Sequence, residues 1–202
     1  MTAPKLTTPI NFKDAVVLVV EPNVQAMEIF TQVLMGFGTN RILRTGSFED
    51  AQSFARTQPL DLVICDGGPL VSEEGLEGYD FVRWLRRSDL EPNAFVPVML
   101  ASAHTSQRGV ARARDCGAHF IVRKPLVPGV LLDRILWIAR ANRPFVNCPA
   151  YVGPDRRFKN QGSPTGVGRR STDLSVQVGF AKTPNMSQDE IDNLMQPTRI
   201  AI

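Results

Sequence analysis

The chain has 202 residues, a net charge of +3 and a pI near 9.0, which leaves room for one ordinary domain with an extension. Its 43% hydrophobic and 21% charged residues are typical of a soluble globular protein. The longest clean apolar stretch, Ala15 to Val20, is far shorter than the roughly 20 residues that span a bilayer, and residues 1–13 lack the apolar region of a signal peptide. Three widely spaced cysteines form no metal-ligand pattern, so we expect a cytoplasmic protein without membrane insertion.

Short apolar runs alternate with amphipathic segments five times before residue 142. In chain order the predicted elements are strand Ala15–Val20, helix Val24–Met35, strand Arg41–Thr45, helix Phe48–Arg56, strand Asp61–Cys65, helix Tyr79–Arg87, strand Pro97–Ala101, helix Gln107–Cys116, strand His119–Val122 and helix Pro128–Ala141. Near-continuous aliphatic strands are typical of parallel sheets covered on both faces. The pattern therefore predicts an α/β fold with a doubly wound, five-stranded parallel sheet, whose functional crevice lies beyond the carboxyl ends of the strands.

Four polar side chains stand at those carboxyl ends. Glu21 follows VLVV, Asp66 follows LVIC, Ser102 follows VMLA, and Lys124 follows IVR. A single polar residue after a strand commonly does no more than end it. Two acids, a hydroxyl and an ammonium group at one edge of one sheet indicate a site.

The segments that carry these residues resemble the signature blocks of a known family. VLVVEPN, DLVICDGGP, GYDFVRWLR, VPVMLASAH and GAHFIVRKP are similar, in order and spacing, to the blocks of two-component response regulator receiver domains, among them the chemotaxis regulators. The resemblance covers residues 14–141, leaves residues 1–13 as an N-terminal arm, and implies the flavodoxin-like receiver fold. It also implies a cis peptide bond between Lys124 and Pro125, which X-Pro bonds tolerate well.

The resemblance implies a phosphorylation switch rather than an enzyme in the ordinary sense. Asp66 would accept a phosphoryl group from a histidine kinase or phosphotransfer protein, Ser102 would bond a phosphoryl oxygen, and Lys124 would pair with it. Mg²⁺ would be held by Glu21, Asp66 and the backbone of Gly68. Phosphoryl transfer relies mainly on positioning and charge neutralisation, so carboxylate, Mg²⁺ and ammonium are a physically sensible set.

The first departure from the family pattern concerns the metal. Receivers normally carry two adjacent acids after the first strand, whereas this chain has Glu21-Pro22, so one direct carboxylate ligand is missing. Two interpretations follow. Either Asp66 is phosphorylated with weakened Mg²⁺ binding, which we favour because Ser102 and Lys124 are retained, or the domain is a degenerate receiver that signals by docking alone.

Two further departures concern the loop after Asp66 and the fifth strand. The loop, DGGPLVSEEGLEGYD, is longer than the family pattern. Its Glu73, Glu74 and Glu77 either reach the crevice or, as we favour, are solvated loop charges. The aromatic switch position holds Ile121, so coupling between phosphoryl group and surface would use other packing, such as the neighbouring Phe120.

Residues 142–202 are rich in Gly, Pro and Arg and too few for an ordinary winged-helix or helix-turn-helix DNA reader, so we expect a largely irregular extension. Its basic pairs are Arg156, Arg157, Arg169 and Arg170. We favour a solvated extension for this stretch. The alternative is an anion clamp for a cyclic dinucleotide or nucleic acid, because guanidinium groups bind phosphates bidentately and stack on planar rings.

A short helix is predicted near residues 187–196. Ser187 and Glu190 form a capping box, and Ile191, Leu194 and Met195 form an apolar stripe, yet two turns are too short to be stable alone. The segment SQDEIDNLM resembles the SQDEID motif of flagellar switch proteins, which docks on the chemotaxis response regulator. The resemblance implies a peptide recognised by a receiver face, either in cis or on another molecule.

The sequence thus predicts a receiver without a DNA-binding output domain that signals by phosphorylation-dependent protein–protein interaction, with motility or chemotaxis as the candidate setting. The alternative is a degenerate receiver that serves as an adaptor for an anionic ligand through its arginines. A homodimer is compatible with the face formed by the fourth and fifth helices and the fifth strand. That face carries Arg112, Arg114, Asp133 and Arg134.

Overall fold

The protein is built on a five-stranded parallel sheet with the strand order β2-β1-β3-β4-β5. The computed structural model describes residues 12–140, 143–156 and 185–195. The strands of this sheet are β1 Val16–Val20, β2 Arg41–Thr45, β3 Leu62–Asp66, β4 Val98–Ser102 and β5 Phe120–Arg123. The predicted α/β fold and its doubly wound parallel sheet are confirmed, with β2 and β5 as the two edges.

Five helices connect and follow the strands. They are α1 Val24–Gly36, α2 Phe48–Thr57, α3 Gly78–Arg87, α4 Gln107–Asp115 and α5 Pro128–Arg140, with a 3₁₀ turn at Asn93–Phe95 before β4. Local side chains fix where three of them begin, since Asn23, Ser47 and Ser106 each accept a hydrogen bond from a backbone N–H of the first turn. Each cap stands a few residues beyond a strand end, so the helix starts and the polar crevice share one edge of the sheet.

The core lies on both faces of the three central strands. Every residue of β1 and β4 is buried, as are the four aliphatic or sulfur-bearing residues of β3. Burying one such side chain contributes roughly 1.5–3 kcal/mol relative to exposure. This packing holds the strand ends rigidly, which is what a site built from four separate strands requires. In the described part of the chain, no helix is both long and apolar enough to cross a bilayer.

A β-hairpin follows α5, where the sequence predicts a largely irregular extension. Strands β6 Phe145–Cys148 and β7 Tyr151–Pro154 pair antiparallel. The Phe145 ring lies 5.3 Å from the Phe95 ring and 5.7 Å from His119, centroid to centroid. A Cβ on Gly153 would lie 2.7 Å from the Cα of Gly117, so only glycine allows the hairpin to approach the α4–β5 turn this closely. The first part of the extension is thus ordered against the receiver.

The helix predicted near 187–196 is present as α6, Gln188–Met195. The predicted capping box is formed, because Glu190 accepts hydrogen bonds from the Ser187 backbone N–H and hydroxyl at 2.8 Å, while Ser187 Oγ accepts one from the Glu190 backbone N–H at 3.3 Å. The helix lies against β5 and α4. Its position places the end of the described chain on the β5 edge of the sheet.

Candidate functional site

An ion triad occupies the carboxyl edge of the sheet. Glu21 follows β1, Asp66 ends β3, and Lys124 follows β5. The Lys124 ammonium lies 2.5 Å from Glu21 Oε2 and 2.7 Å from Asp66 Oδ1. The Glu21 side chain is 1% exposed and the Asp66 side chain 14%, so Asp66 is the more accessible carboxylate. Two carboxylates and one ammonium leave one excess negative charge in the crevice.

Backbone groups hold both carboxylates in place. Glu21 Oε1 accepts a hydrogen bond from the backbone N–H of Asn23 at 3.0 Å, and Asp66 Oδ2 accepts one from that of Gly68 at 3.2 Å. Burial works against the charged form of Lys124, but the hydrogen bonds and charges of Asp66 and Glu21 outweigh it and raise the pKa of Lys124. Lys124 therefore stays protonated at neutral pH and can pair with an anion on Asp66.

Ser102 stands at the same edge but faces its own loop. Its hydroxyl donates to the carbonyl oxygen of His104 at 3.0 Å and accepts from the His104 backbone N–H at 3.1 Å. Burial raises the pKa of Tyr79, while the Arg112 charge and an interaction with Ser102 oppose that rise. Tyr79 was not predicted as a site residue, although it stands in the quoted block GYDFVRWLR. The Ser102 hydroxyl must turn away from the His104 carbonyl before it can donate to a phosphoryl oxygen.

The long loop after Asp66 closes on itself rather than over the crevice. The Gly78 N–H donates to the Gly68 carbonyl at 3.0 Å, and a Cβ on Gly78 would lie 1.6 Å from the Asp66 carbonyl oxygen. Glu73 and Glu74 are exposed, while Glu77 forms an ion pair with Arg112. Glu73 and Glu74 agree with the favoured interpretation of solvated loop charges, whereas Glu77 is the N-cap of α3 and is ion-paired, although it too lies outside the triad.

A comparison with protein families identifies the domain. The model for the response regulator receiver domain matches residues 17–136, which is more than half of the chain. The chain belongs to the response regulator receiver family. Receiver domains are phosphoacceptors of two-component systems; they generally bind Mg²⁺ at their acidic pocket and typically interact with histidine kinases or phosphotransfer proteins.

Solved structures agree on the fold. The chemotaxis protein CheY4 of Vibrio cholerae is 22% identical, with a TM-score of 0.54 over 60% of this chain and 96% of that one. The signal receiver domain of a histidine kinase from Syntrophus aciditrophicus is 23% identical, with a TM-score of 0.54 over 67% and 98%. A candidate response regulator of Chloroflexus aurantiacus J-10-fl is 26% identical, with a TM-score of 0.55 over 62% and 98%. Comparison with curated proteins finds no match.

The crevice of this receiver offers a divalent cation fewer protein ligands than the family pattern. Pro22 supplies no carboxylate, and within the described ranges no group of three or more His, Cys, Asp or Glu side chains is placed to hold a metal. Among the described residues, Asp66 Oδ2 accepts one hydrogen bond, from the Gly68 N–H, while Oδ1 accepts from the Lys124 ammonium, and the crevice is net negative. If Mg²⁺ binds, the oxygens that would hold it are those of Asp66, Glu21 and the Gly68 carbonyl, the last of which also accepts the Gly78 N–H.

The backbone at Lys124 is as the resemblance implies, whereas the switch position departs from the family pattern. The Lys124–Pro125 peptide bond is cis, as expected. Ile121 is fully buried, and the ring of its neighbour Phe120 packs edge-on against Trp137 at 4.9 Å. An aromatic ring is thus present beside Ile121, but it points into the packing of α5.

The predicted tail residues are placed only in part. Ile191 is fully buried and Met195 is 6% exposed, while the side chain of Leu194 lies outside the described atoms. Arg156 stacks on Tyr151 at 3.6 Å from the ring centroid and pairs with Asp115 at 2.5 Å. The other predicted anion-binding residues, Arg157, Arg169 and Arg170, lie outside the described residues.

Proposed function

We propose that this receiver is phosphorylated on Asp66 and signals by phosphorylation-dependent protein–protein interaction. The observation that carries the proposal is the triad: Lys124 lies 2.7 Å from the more exposed carboxylate, Asp66, and remains charged. An ammonium at that position neutralises charge as a phosphoryl group arrives, which is the main contribution a protein makes to phosphoryl transfer.

The reaction balances without a further co-reactant. An Asp66 carboxylate oxygen attacks phosphorus and forms a P–O bond, while the P–N bond of a donor phosphohistidine breaks. The donor imidazole leaves with the electron pair and takes a proton. Ser102 would turn from His104 to a phosphoryl oxygen, and Lys124 would exchange part of its contact with Asp66 for that oxygen. Mg²⁺, when bound, supplies further charge neutralisation.

Labelling with a small phosphodonor tests this proposal. Full-length protein incubated with acetyl phosphate and Mg²⁺ should gain one phosphoryl group by intact mass, and Asp66→Asn should gain none. Asp89→Asn, which changes an exposed carboxylate outside the crevice, is the matched control and should be labelled like the wild type. Absence of uptake at saturating Mg²⁺ would refute the proposal and favour the degenerate receiver.

A role in motility or chemotaxis is the finer part of this proposal. It is supported by the resemblance of SQDEIDNLM to the flagellar switch motif and by a structural neighbour that is named a chemotaxis protein. Deleting residues 184–202 should change binding to chemotaxis-type receivers. Unchanged binding, both in cis and in trans, would rule this setting out.

A second candidate function, anionic-ligand binding, is favoured by one cavity. Arg114, Arg143 and Arg156 line a space of about 50 Å³ together with Tyr151, and the buried Nε of Arg156 has no hydrogen-bond partner in the described part of the protein. A space of this size admits part of a phosphate group rather than a whole ligand, so a cyclic dinucleotide titrated into full-length protein should bind weakly and in a salt-dependent manner, and Arg156→Ala should weaken that binding further. Arg108→Ala, an exposed arginine on α4, is the control. Equal binding by both variants would exclude this cavity.

A further inference from the structure

Residues 185–195, here called the tail segment, cover the exposed edge of the sheet at β5. The Gln188 side-chain amide pairs with that edge twice, donating to the Ile121 carbonyl at 3.3 Å and accepting from the Arg123 N–H at 2.8 Å. Edge strands present unpaired backbone groups that attract other chains, and here a side chain of α6 satisfies them. The tail segment therefore occupies the place that an incoming partner would otherwise use.

Two further contacts make this docking specific. Ile191 is fully buried against the receiver core, and Asp192 forms a two-pronged ion pair with Arg134 of α5. The Arg134 side chain is 18% exposed and that of Asp192 is 9% exposed, so the pair is largely shielded from water. The amide thus meets the β5 backbone, the acid meets Arg134 of α5, and the aliphatic side chain joins the receiver core.

The tail segment is also bonded to the loop that carries the candidate phosphoryl-binding hydroxyl. Met186 and Thr105 form two hydrogen bonds. The Met186 N–H donates to the Thr105 carbonyl at 2.9 Å, and the Thr105 hydroxyl donates to the Met186 carbonyl at 3.0 Å. Asn185 donates to the Ala103 carbonyl at 3.1 Å. Between these contacts lies His104, whose carbonyl accepts the single proton of Ser102. Ser102 and the tail segment are therefore linked through three consecutive residues.

We propose that the tail segment is an intramolecular ligand that covers the β5 edge while Asp66 is unphosphorylated and leaves it when Asp66 is phosphorylated. This inference rests on the proposed function. A Ser102 hydroxyl has one proton, so donating it to a phosphoryl oxygen means withdrawing it from His104. The loop 103–105 then loses one of the two hydrogen bonds between Ser102 and His104 that hold its shape, and the three hydrogen bonds to Asn185 and Met186 depend on that shape.

The surface uncovered in this way accepts a ligand of defined chemistry. The contacts require an amide at the first position of a short helix, an aliphatic residue three positions later and an acid at the next position, as in Gln188, Ile191 and Asp192. These spacings put the three side chains on one face of two turns. A second chain that presents such a helix competes with the tail segment for the same place.

Amide hydrogen exchange on full-length protein tests release. Acetyl phosphate transfers its phosphoryl group to Asp66 with breakage of the P–O bond to acetate, which leaves as the anion, and intact mass gives the extent of reaction. Exchange of the amides of residues 188–195 should then accelerate by at least about tenfold, whereas that of the β6–β7 hairpin should not change. Complete phosphorylation with unchanged exchange overturns the inference alone. Absence of phosphorylation overturns the proposed function and this inference together.

A labelled peptide of residues 184–197 tests whether the tail segment is a ligand. Full-length Ile191→Asp should bind the peptide because its own segment no longer docks, and unphosphorylated wild type should bind it at least about tenfold more weakly. Met35→Asp, which adds the same charge at an exposed apolar position on α1, should behave like the wild type. If Ile191→Asp is poorly folded by circular dichroism, Gln188→Ala replaces it. Equal peptide binding by wild type and the tail variants overturns the inference.

Discussion

The buried residue His119, directly before β5, makes the stability of this receiver depend on pH, and its contribution can be measured separately from those of other titratable groups. Burial, with the charges of Arg86 and Arg143, lowers the pKa of His119 well below 6.5. The geometry gives the reason. His119 Nδ1 accepts the Val98 backbone N–H at 3.2 Å and lies 3.5 Å from Arg86 Nη2, so a proton there would face an N–H donor and a guanidinium.

The sign of the effect follows from which state binds the proton. Above the unfolded pKa of His119 neither state is protonated at this residue, and its contribution to stability is complete. As the pH falls through about 6.5 the unfolded chain takes up a proton that the folded protein refuses, so stability is lost on acidification. For a group that stays neutral when folded, linkage gives a loss of about 1.3 kcal/mol between pH 7.0 and pH 5.5.

The measurement compares the wild type with His119→Gln, which retains an acceptor for Val98 but does not titrate. Urea unfolding of both proteins at pH 7.0 and 5.5 gives two losses of stability, and the contributions of all other groups cancel in their difference. The wild type should lose about 1.3 kcal/mol more than the variant. Equal losses would show that His119 is protonated in the folded protein and that the assigned hydrogen bonding is wrong.

Three other perturbations have expected outcomes. Arg86→Met leaves three buried backbone carbonyls without their donor, so urea unfolding should show a loss of about 3–5 kcal/mol; a loss below about 1 kcal/mol would contradict this. Because folding raises the pKa of Lys124, the contribution of its charge to folding stability is present below about pH 10.4 and is lost as the pH rises above that value. The free energy of unfolding of Lys124→Met should therefore fall less at alkaline pH than that of the wild type. Arg134→Ala removes the partner of Asp192 and should accelerate amide exchange of α6 about fivefold, corresponding to about 1 kcal/mol; no acceleration would indicate that the pair contributes nothing to docking.

The sheet and the location of the site were accessible from the sequence because both depend on local patterns. Aliphatic runs such as Val16–Val20 set the buried strands, and parallel strands necessarily bring their following residues to one edge. The strand pattern alone therefore predicted that Glu21, Asp66 and Lys124 lie close together. The orientation of Ser102 was not accessible, because it depends on the carbonyl of His104 in an irregular loop.

The hairpin and the docking of α6 show a different limit. Strands β6 and β7 have four residues each, and they are held in place by packing of Phe145 against residues distant in sequence. No hydrophobic periodicity in the sequence therefore predicts them. The capping box and apolar stripe predicted α6 as an element. These features could not predict where on the receiver α6 docks, because its position depends on the unpaired backbone of β5 and on Arg134.

Tethering sets how strong a competing partner must be. A two-turn helix is not stable in isolation, so α6 is folded only while it is bound, and release is also unfolding. Residues 157–184 keep the tail segment joined to its own receiver, and such a tether typically gives an effective concentration of the order of millimolar. A partner helix present at about 1 μM must therefore bind about a thousandfold more tightly than the free tail peptide to replace it, a difference of about 4 kcal/mol.

Contacts of the same kind as Gln188, Ile191 and Asp192 do not supply that difference by themselves, since they only reproduce the contacts that the tail segment already makes. When the 103–105 loop loosens, the tail segment loses the hydrogen bonds of Asn185 and Met186 to that loop. A partner that makes no use of that loop is unaffected, so the state of Asp66 can decide which of the two helices occupies β5.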